Sequence, residues 1–436
     1  MMHERPKVGQ SASGIRPGRP TSGGNCTVSP EGTAPGPLPD APQPRSPEPG
    51  EFPALYKLLD ETFRAGGGSM ARDYPRLLAE PNRFNLRVIV EGGRVLSHAG
   101  IVIREASLEG LTVRVALLGA VATAASSRGK GLATLCVTAA MQRAVELGAD
   151  LMWISGTRGL YARLGARPVG DDQEFNLSVE DVRRFARDDA ELKPLAEDDI
   201  PEAAELYAHE PVRFIRPLED WQSAFRLRFA MDRPSRFLGA KEFGSLAAYA
   251  VLHEPTAEGR SFVAEYAGAR GVLLGALPRM MREMGAKSLQ LHLAHHDKTL
   301  ARRLAAAGLK GTSVPAAGAA LVLRFVPLME KLRARFIERA GEGAGRELSF
   351  EEEGPPLGPG NLFRIACGPD VLRVDGRGAL AELLFGSALK PQAAEGRGPT
   401  GSGLQDSQPR IHGWGAKGPF RAALPVPALW YGLNFV

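Results

Sequence analysis

Read for the spacing of apolar and polar positions, the chain divides into one unpatterned stretch and three patterned ones. Residues 1–50 hold few large apolar side chains, no periodicity and many Pro, Gly and Ser, which predicts a disordered tail. From Phe52 onward, Phe52, Leu55, Leu58, Leu59 and Phe63 recur at helical spacing until Gly66-Gly67-Gly68 stops the run. A second helical patch covers 74–78. Strands are predicted over 85–90, 94–104 and 111–123, with turns at Gly92-Gly93 and Glu109-Gly110. A helix then runs to Leu147 and ends at Gly148. Thr134, Thr138, Gln142 and Glu146 form its polar stripe, and the remainder, Leu135 and Cys136 included, is expected to be mostly buried. A strand over 149–155 and a helix over 160–166 complete a first unit, placed at 51–180.

The layout then repeats over 190–320. A helix at 200–207 precedes strands at 245–252 and 261–266, a helix at 272–284, a strand at 288–293 and a helix at 299–307. A third unit, 325–436, opens with a helix carrying Phe325, Leu328, Leu332 and Phe336. Strands at 347–352, 362–367 and 371–374 and a helix at 378–385 follow. Residues 391–418 are rich in Gly, Ser and Pro and predict a flexible loop. The end, Leu429-Trp430-Tyr431-Gly432-Leu433-Asn434-Phe435-Val436, is the most aromatic segment of the chain. Termini are ordinarily polar and frayed, so this one is expected to be buried against the protein.

Composition narrows the function classes. A length of 436 residues suits two or three domains, and 44% apolar with 24% charged residues suits a protein with a sizeable core. A net charge of +5 is too mild to imply nucleic acid, and no run of Lys and Arg interleaved with aromatics suggests a nucleic-acid groove. Cys26, Cys136 and Cys367 are too scattered for a disulfide framework or a metal site. The N-terminus lacks an apolar signal region, and the longest uncharged apolar stretch, 116–125, is about half a membrane span. The expectation is a cytoplasmic protein with no metal and no membrane span.

Candidate chemistry centres on the passage from the third strand into the long helix. After Val121-Ala122-Thr123 and a polar turn comes Arg128-Gly129-Lys130-Gly131-Leu132-Ala133-Thr134. A helix that starts on small residues turns unpaired N–H groups outward under the positive end of its dipole. Glycines let a phosphate approach the backbone, and Arg128 and Lys130 add charge to the rim. A P-loop is excluded, because Lys130 lies between two glycines and no Ser or Thr follows it. A dinucleotide loop fits only in its first half, because Thr134 stands where the last glycine belongs.

Arg128, Gly131 and Ala133 in R-x-x-G-x-A spacing, after a strand ending in Val121-Ala122-Thr123, resemble the coenzyme A loop of the GCN5-related N-acetyltransferase (GNAT) family. The strand 149–155, then Gly156-Thr157-Arg158-Gly159 and Leu160-Tyr161-Ala162-Arg163-Leu164-Gly165-Ala166, resembles the end of that family's catalytic domain. The resemblance implies acetyl-CoA as co-substrate. Its pantetheine would lie along the backbone of Val121, Ala122 and Thr123, and its pyrophosphate on Gly129, Lys130, Gly131, Leu132, Ala133 and Thr134 beside Arg128, with Gly156 and Thr157 on the far wall. The second unit is similar in layout but reads Ala267-Gly268-Ala269-Arg270-Gly271-Val272-Leu273 where the loop should stand, so no coenzyme A is expected there. The third unit is weakly similar, in element order only, to a sterol carrier protein. The fold class is therefore α/β (α+β): two tandem acetyltransferase-like folds, the second degenerate, and a C-terminal sterol-carrier-like α+β domain.

This arrangement with an apolar end resembles the Eis (enhanced intracellular survival) type of acetyltransferase. That resemblance implies Tyr161 as general acid, the α-carboxylate of Val436 as general base, a primary amine as acceptor (a polyamine, an aminoglycoside-like molecule or a lysine side chain) and a homo-oligomer, a hexamer in related proteins. Other readings stand beside these. Tyr161 packs as an ordinary aromatic, the tail is only a hydrophobic clasp, and the working part is a lipid or sterol site in the last unit. Trp153 either lines the acceptor pocket or fills the sheet, the latter being favoured, and His98 reads as a strand histidine facing solvent or a neighbour.

Overall fold

The structure, a computed structural model, describes residues 43–156, 158–187, 191–316, 318–386, 411–412 and 419–436. The tail as far as residue 42, most of the loop expected at 391–418, and Thr157 lie outside the described residues. Residues 43–51 already belong to the fold: Arg45 exchanges two backbone hydrogen bonds with Val88 (3.0 and 2.8 Å), and Pro49–Glu51 form a short turn leading into the first helix.

The chain begins with α1 (Phe52–Phe63), α2 (Met70–Asp73) and α3 (Pro75–Leu78). It continues through β1 (Leu86–Glu91), β2 (Arg94–Leu108), β3 (Leu111–Thr123), α4 (Leu132–Glu146), β4 (Leu151–Ile154), α5 (Gly159–Arg163) and β5 (Arg167–Pro168). Next come β6 (Asp172–Ser178), α6 (Val179–Arg183), β7 (Glu191–Pro194), α7 (Ile200–Ala208), β8 (Val212–Ile215), α8 (Leu218–Leu227), β9 (Phe229–Ala230) and β10 (Arg233–Glu242). β11 (Ser245–His253), β12 (Arg260–Gly268), α9 (Arg270–Met284), β13 (Ser288–Leu293), α10 (Lys298–Ala306), β14 (Thr312–Val314) and β15 (Ala319–Val322) follow. The last part holds α11 (Phe325–Ala340), α12 (Glu342–Arg346), β16 (Leu348–Glu353), β17 (Leu362–Cys367), β18 (Asp370–Asp375), α13 (Arg377–Phe385), β19 (Ile411–His412) and α14 (Pro419–Ala423).

Three sheets result. The first runs β1-β2-β3-β4-β15-β5, with β8 alongside the far end of β2. The second runs β14-β6-β13-β12-β11-β10-β7, with β9 on β10, and the third runs β16-β17-β18-β19. β1, β2 and β3 are an antiparallel meander, and α4 is the crossover that brings β4 parallel to β3. The β2–β3 turn is tight because Glu109 and Gly110 both take positive φ (51° and 92°). α4 covers one face of this sheet with Leu132, Cys136, Val137, Ala140, Met141 and Ala144, while the other face packs against α1 and α11. Only one stripe of α4 is therefore buried. Leu135, expected inside, is 40% exposed, because a helix lying on a sheet has a second side that meets solvent.

The first two sheets exchange strands. β15 pairs antiparallel with β4 (Ala319 opposite Ile154, Val322 opposite Leu151) and completes the first sheet from the far end of the second part. β6 pairs antiparallel with β13 (Ser178 opposite Ser288) and so belongs to the second sheet. Within the last part, α11 lays Phe325, Leu328, Leu332 and Phe336 onto the third sheet, with Phe325 edge-on to Phe350 and Phe363. Trp153 is fully buried and meets Phe385 edge-to-face at 6.0 Å, so it fills the core behind the first sheet. No described helix is long and apolar enough to cross a membrane.

Candidate functional site

β3 and β4 are hydrogen-bonded from Val115 opposite Leu151 to Leu118 opposite Ile154, and there the pairing stops. β3 continues to Thr123, still paired with β2, so the stretch from Gly119 through Val121, Ala122 and Thr123 has no β4 partner. A bulge marks the start of the splay. The β2–β3 register shifts between His98 and Gly100, and Ala120 adopts φ +51°, uncommon for a residue with a side chain. His98 stabilises it: its ring Nδ1 lies 2.7 Å from the Ala120 carbonyl oxygen. His98 is fully buried, facing this neighbour and not solvent, and burial pushes its pKa down to about 4. A neutral imidazole therefore donates from Nδ1 to the bulge carbonyl at neutral pH.

At the end of β3 the backbone turns through the exposed Arg128, Gly129, Lys130 and Gly131 into α4. Gly129 and Gly131 have φ +78° and +76°, and nothing lies within 4 Å of where a Cβ would stand on either. Glycine is needed here for backbone conformation, and the space beside it is open to an incoming group. The first helical bond is donated by Leu135 to the Gly131 carbonyl, so the N–H groups of Leu132, Ala133 and Thr134 precede it, and no side chain caps the helix. These amides fit a phosphate. Arg128 presently turns back, its Nε donating to the Thr123 carbonyl oxygen at 3.3 Å. With acetyl-CoA as the ligand that the sequence resemblance implies, Gly131→Ala is expected to raise its KM about tenfold, equivalent to about 1.4 kcal/mol, with kcat nearly unchanged. Initial-rate kinetics check it, and an unchanged KM would remove this loop from cofactor binding.

Across the splay, Tyr161 is carried on α5 and is 6% exposed, and a Cβ on Gly156 would stand 3.0 Å from its ring. Burial raises the Tyr161 phenol above its ordinary value, with Arg158 nearby working the other way. The chain terminus arrives where β3 leaves β4. A Cβ on Gly119 would lie 2.7 Å from the terminal carbonyl carbon of Val436 and 2.8 Å from its oxygen, so the α-carboxylate rests on the bare backbone at the bulge. The expectation of a buried tail is met, since Trp430 is half-buried and Tyr431, Leu433, Asn434 and Val436 are buried.

Residues scattered through the chain hold this tail. The Trp430 indole stacks on His292 at 3.7 Å and donates to the Ala264 carbonyl oxygen at 2.7 Å. The Leu433 N–H donates to Glu265 Oε2 (2.9 Å), and Arg76 donates to the Leu433 carbonyl oxygen (2.7 Å). Arg216 forks onto Glu265 (3.0 and 2.7 Å) and also reaches Asn434 Oδ1 (3.0 Å). Sequence reasoning missed Arg76, Arg216 and Glu265, and it missed Tyr431. The Tyr431 ring is fully buried beside Gly318 near the end of β4, and its hydroxyl has no hydrogen-bond partner among the described residues. Burial first, and then the neighbouring Tyr161, push its pKa well up.

The corresponding place in the second sheet is filled from within. β12 and β13 are parallel only as far as Val263 opposite Leu291. Trp430 bonds the freed β12 backbone at Ala264. At the start of α9, Glu210 accepts from the Gly268 N–H (3.2 Å) and pairs with Arg270 (2.5 Å), which also binds Asp297 (2.6 Å).

The comparisons bear on the first sheet. Residues 43–169 match the family model described as an acetyltransferase (GNAT) domain. No curated protein matches the chain in sequence. Solved structures share the fold. A GCN5-related N-acetyltransferase from Anabaena variabilis is 14% identical with a TM-score of 0.57, over 78% of this chain and 88% of that one. One from Kribbella flavida is 15% identical with a TM-score of 0.53, over 74% and 82%. Eis1 from Mycobacterium abscessus is 11% identical with a TM-score of 0.51, over 76% and 84%. Residues 43–169, with their splayed β3 and β4 and the glycine-turned start of α4, are an acetyltransferase domain of the GNAT family.

Proposed function

We propose that the protein transfers the acetyl group of acetyl-CoA directly to a primary amine, with the Val436 carboxylate as general base and Tyr161 as general acid. One observation supports this reading: the terminal carboxylate lies on Gly119, where β3 and β4 part, and the Tyr161 ring is buried against Gly156, just past the end of β4. The loop amides of Leu132, Ala133 and Thr134 would hold the pyrophosphate, and the free edge of β3 over Val121, Ala122 and Thr123 would hold the arm. The second sheet is read as a degenerate copy of the fold whose cleft Trp430 fills. The last part is read as a sterol-carrier-like scaffold, and the whole as a cytoplasmic homo-oligomer of the Eis type.

The chemistry balances without an enzyme-bound intermediate. The amine nitrogen forms a bond to the thioester carbon, the C–S bond breaks, one proton leaves nitrogen and one arrives at sulfur. An α-carboxyl ordinarily titrates near 3.5 and an alkylammonium near 10.4, so the carboxylate takes the proton only as the nitrogen acidifies on bonding to carbon. Proximity at a buried site makes that transfer effective. A phenol raised by burial keeps its proton through neutral pH and is available when the thiolate departs.

Tyr161→Phe is expected to lower kcat by about 10²–10³-fold, within the usual range for general acid catalysis, with KM for acetyl-CoA changed little. Because the phenol is raised, the alkaline fall in the wild-type rate should come above pH 10. Free-thiol release across pH tests both expectations, and a Phe variant with wild-type turnover would dismiss Tyr161 as the acid.

A further inference from the structure

β3 breaks its regular backbone at one peptide, and two side chains of β2 hold it there. Between the pairs His98–Ala122 and Gly100–Gly119, β2 has one residue, Ala99, while β3 has two, Ala120 and Val121. Ala120 stands at φ +51°, a conformation that only glycine adopts freely. The His98 Nδ1–H donates to the Ala120 carbonyl oxygen at 2.7 Å. Ser97, which points to the opposite face of β2, donates to the Ala122 carbonyl oxygen (3.0 Å) and bonds the Thr123 hydroxyl (2.9 Å). The stretch of β3 that lacks a β4 partner is thus pinned from both faces of the sheet.

Packing alone would select neither Ala120 nor His98. His98 is fully buried, and its second ring nitrogen, Nε2, has no hydrogen-bond partner among the described residues. Its surroundings are apolar, since a Cβ on Gly100 would meet Leu86, Leu77 and the His98 ring at 2.8, 3.0 and 3.2 Å. A leucine at this position would leave no buried polar atom unpaired. Backbone strain and an orphaned nitrogen at a single peptide are the mark of a peptide held for use.

The use follows from peptide geometry. In a trans peptide the carbonyl and the next N–H point in opposite directions. β3 lies between β2 and β4, so an Ala120 carbonyl drawn onto His98 of β2 turns the Val121 N–H towards the side that β4 has left. Pairing with β4 ends at Leu118 opposite Ile154, before the bulge. The Val436 carboxylate rests on Gly119, so a backbone donor and the proposed base lie two residues apart on one strand.

Resting on the acetyl-transfer reading above, we propose that His98 is a positioning residue. It fixes the Ala120–Val121 peptide so that the Val121 N–H donates to the thioester carbonyl oxygen, and to the oxyanion that forms there as the amine nitrogen bonds to carbon. The charge that develops on oxygen then meets a donor already in place. His98 itself touches no reacting atom.

The test compares, by calorimetry on the full chain, the binding of acetyl-CoA with that of S-ethyl-CoA, which lacks the carbonyl oxygen. Wild type should bind acetyl-CoA about three- to tenfold more tightly, the range that one hydrogen bond commands. His98→Leu should lose that preference and bind S-ethyl-CoA as wild type does. In His98→Asn the side-chain amide can donate where Nδ1 did, and the preference should return. With an amine that turns over, His98→Leu should also lower kcat by about 10–10²-fold, at or below the effect of deleting an oxyanion donor, and raise KM by no more than the lost preference. A merely structural role would weaken both ligands alike. Thermal midpoints show which variants fold, and the wild-type preference stands independently of them. Equal binding of the two ligands by wild type, or a folded His98→Leu chain that keeps the preference, overturns the inference and leaves the enzyme reading intact. Should His98→Leu not fold, a His98→Asn chain without the preference overturns it equally. If wild type binds neither ligand, the enzyme reading falls and this inference with it.

Discussion

Removal of Phe435 and Val436 is expected to lower kcat by about 10²–10⁴-fold, the range for loss of a general base, while acetyl-CoA still raises the thermal midpoint. The reason is where the tail is anchored. Trp430 on His292 and Ala264, and Leu433 between Arg76 and Glu265, all precede the deletion, so the rest of the tail keeps its path. The new carboxylate would belong to Asn434, within reach of Arg216, and not to the residue resting on Gly119. Adding a single glycine after Val436 should do nearly as much harm, since it replaces the carboxylate at Gly119 by an amide. Gly119→Ala approaches the same point from the other side, because its Cβ would stand 2.7 Å from the terminal carbon. Thiol release and acetyl-CoA binding are measured on all three. A truncated chain within threefold of wild type would reduce the tail to a clasp.

Glu265→Ala should be the most destabilising single change in the tail network, by about 3–5 kcal/mol, the typical result of stripping one partner from a buried ion pair. Arg216 is fully buried against Tyr207 and Trp221 (4.2 and 4.3 Å), and the Glu265 carboxylate beside it holds it charged across the whole accessible pH range. Without Glu265 that charge has no carboxylate, the Tyr249 hydroxyl loses its acceptor (2.8 Å), and so does the Leu433 N–H. Urea unfolding gives the stability. Combining Glu265→Ala with Arg216→Met should restore part of the loss, since it removes the stranded charge. An isolated Glu265→Ala variant as stable as wild type would mean that the pair contributes nothing.

Much of this was legible in the sequence because local signals agreed. The glycines at 129 and 131 sit between a β pattern and a helical one, and the structure places them at positive φ where those elements meet. β13 and β17 lie where their apolar runs predicted them. β10, by contrast, carries Pro234, Gly239, Lys241 and Glu242 and lacks a clean alternation, so its strand character comes from neighbours on both sides. β15 is four small or apolar residues whose partner, β4, cannot be named from local pattern. The site was legible where it is made of backbone and invisible where it is made of distant charges. Arg76, Arg216 and Glu265 converge on the consecutive tail residues Leu433 and Asn434 from α3, the β8–α8 loop and β12, and spacing along the chain carries no trace of that.

The exchanged strands also set a timetable for synthesis. β4, Leu151-Met152-Trp153-Ile154, is wholly buried in the finished protein, and one of its edges is covered only by β15. At about 5–20 residues per second, the ribosome delivers Ala319–Val322 on the order of 10–30 s after β4 has emerged. Through that interval the nascent acetyltransferase sheet carries an open, apolar edge of the kind that recruits other strands. The newborn chain is thus most vulnerable to misassembly midway through its translation, and a chaperone able to shield an extended hydrophobic segment would act there.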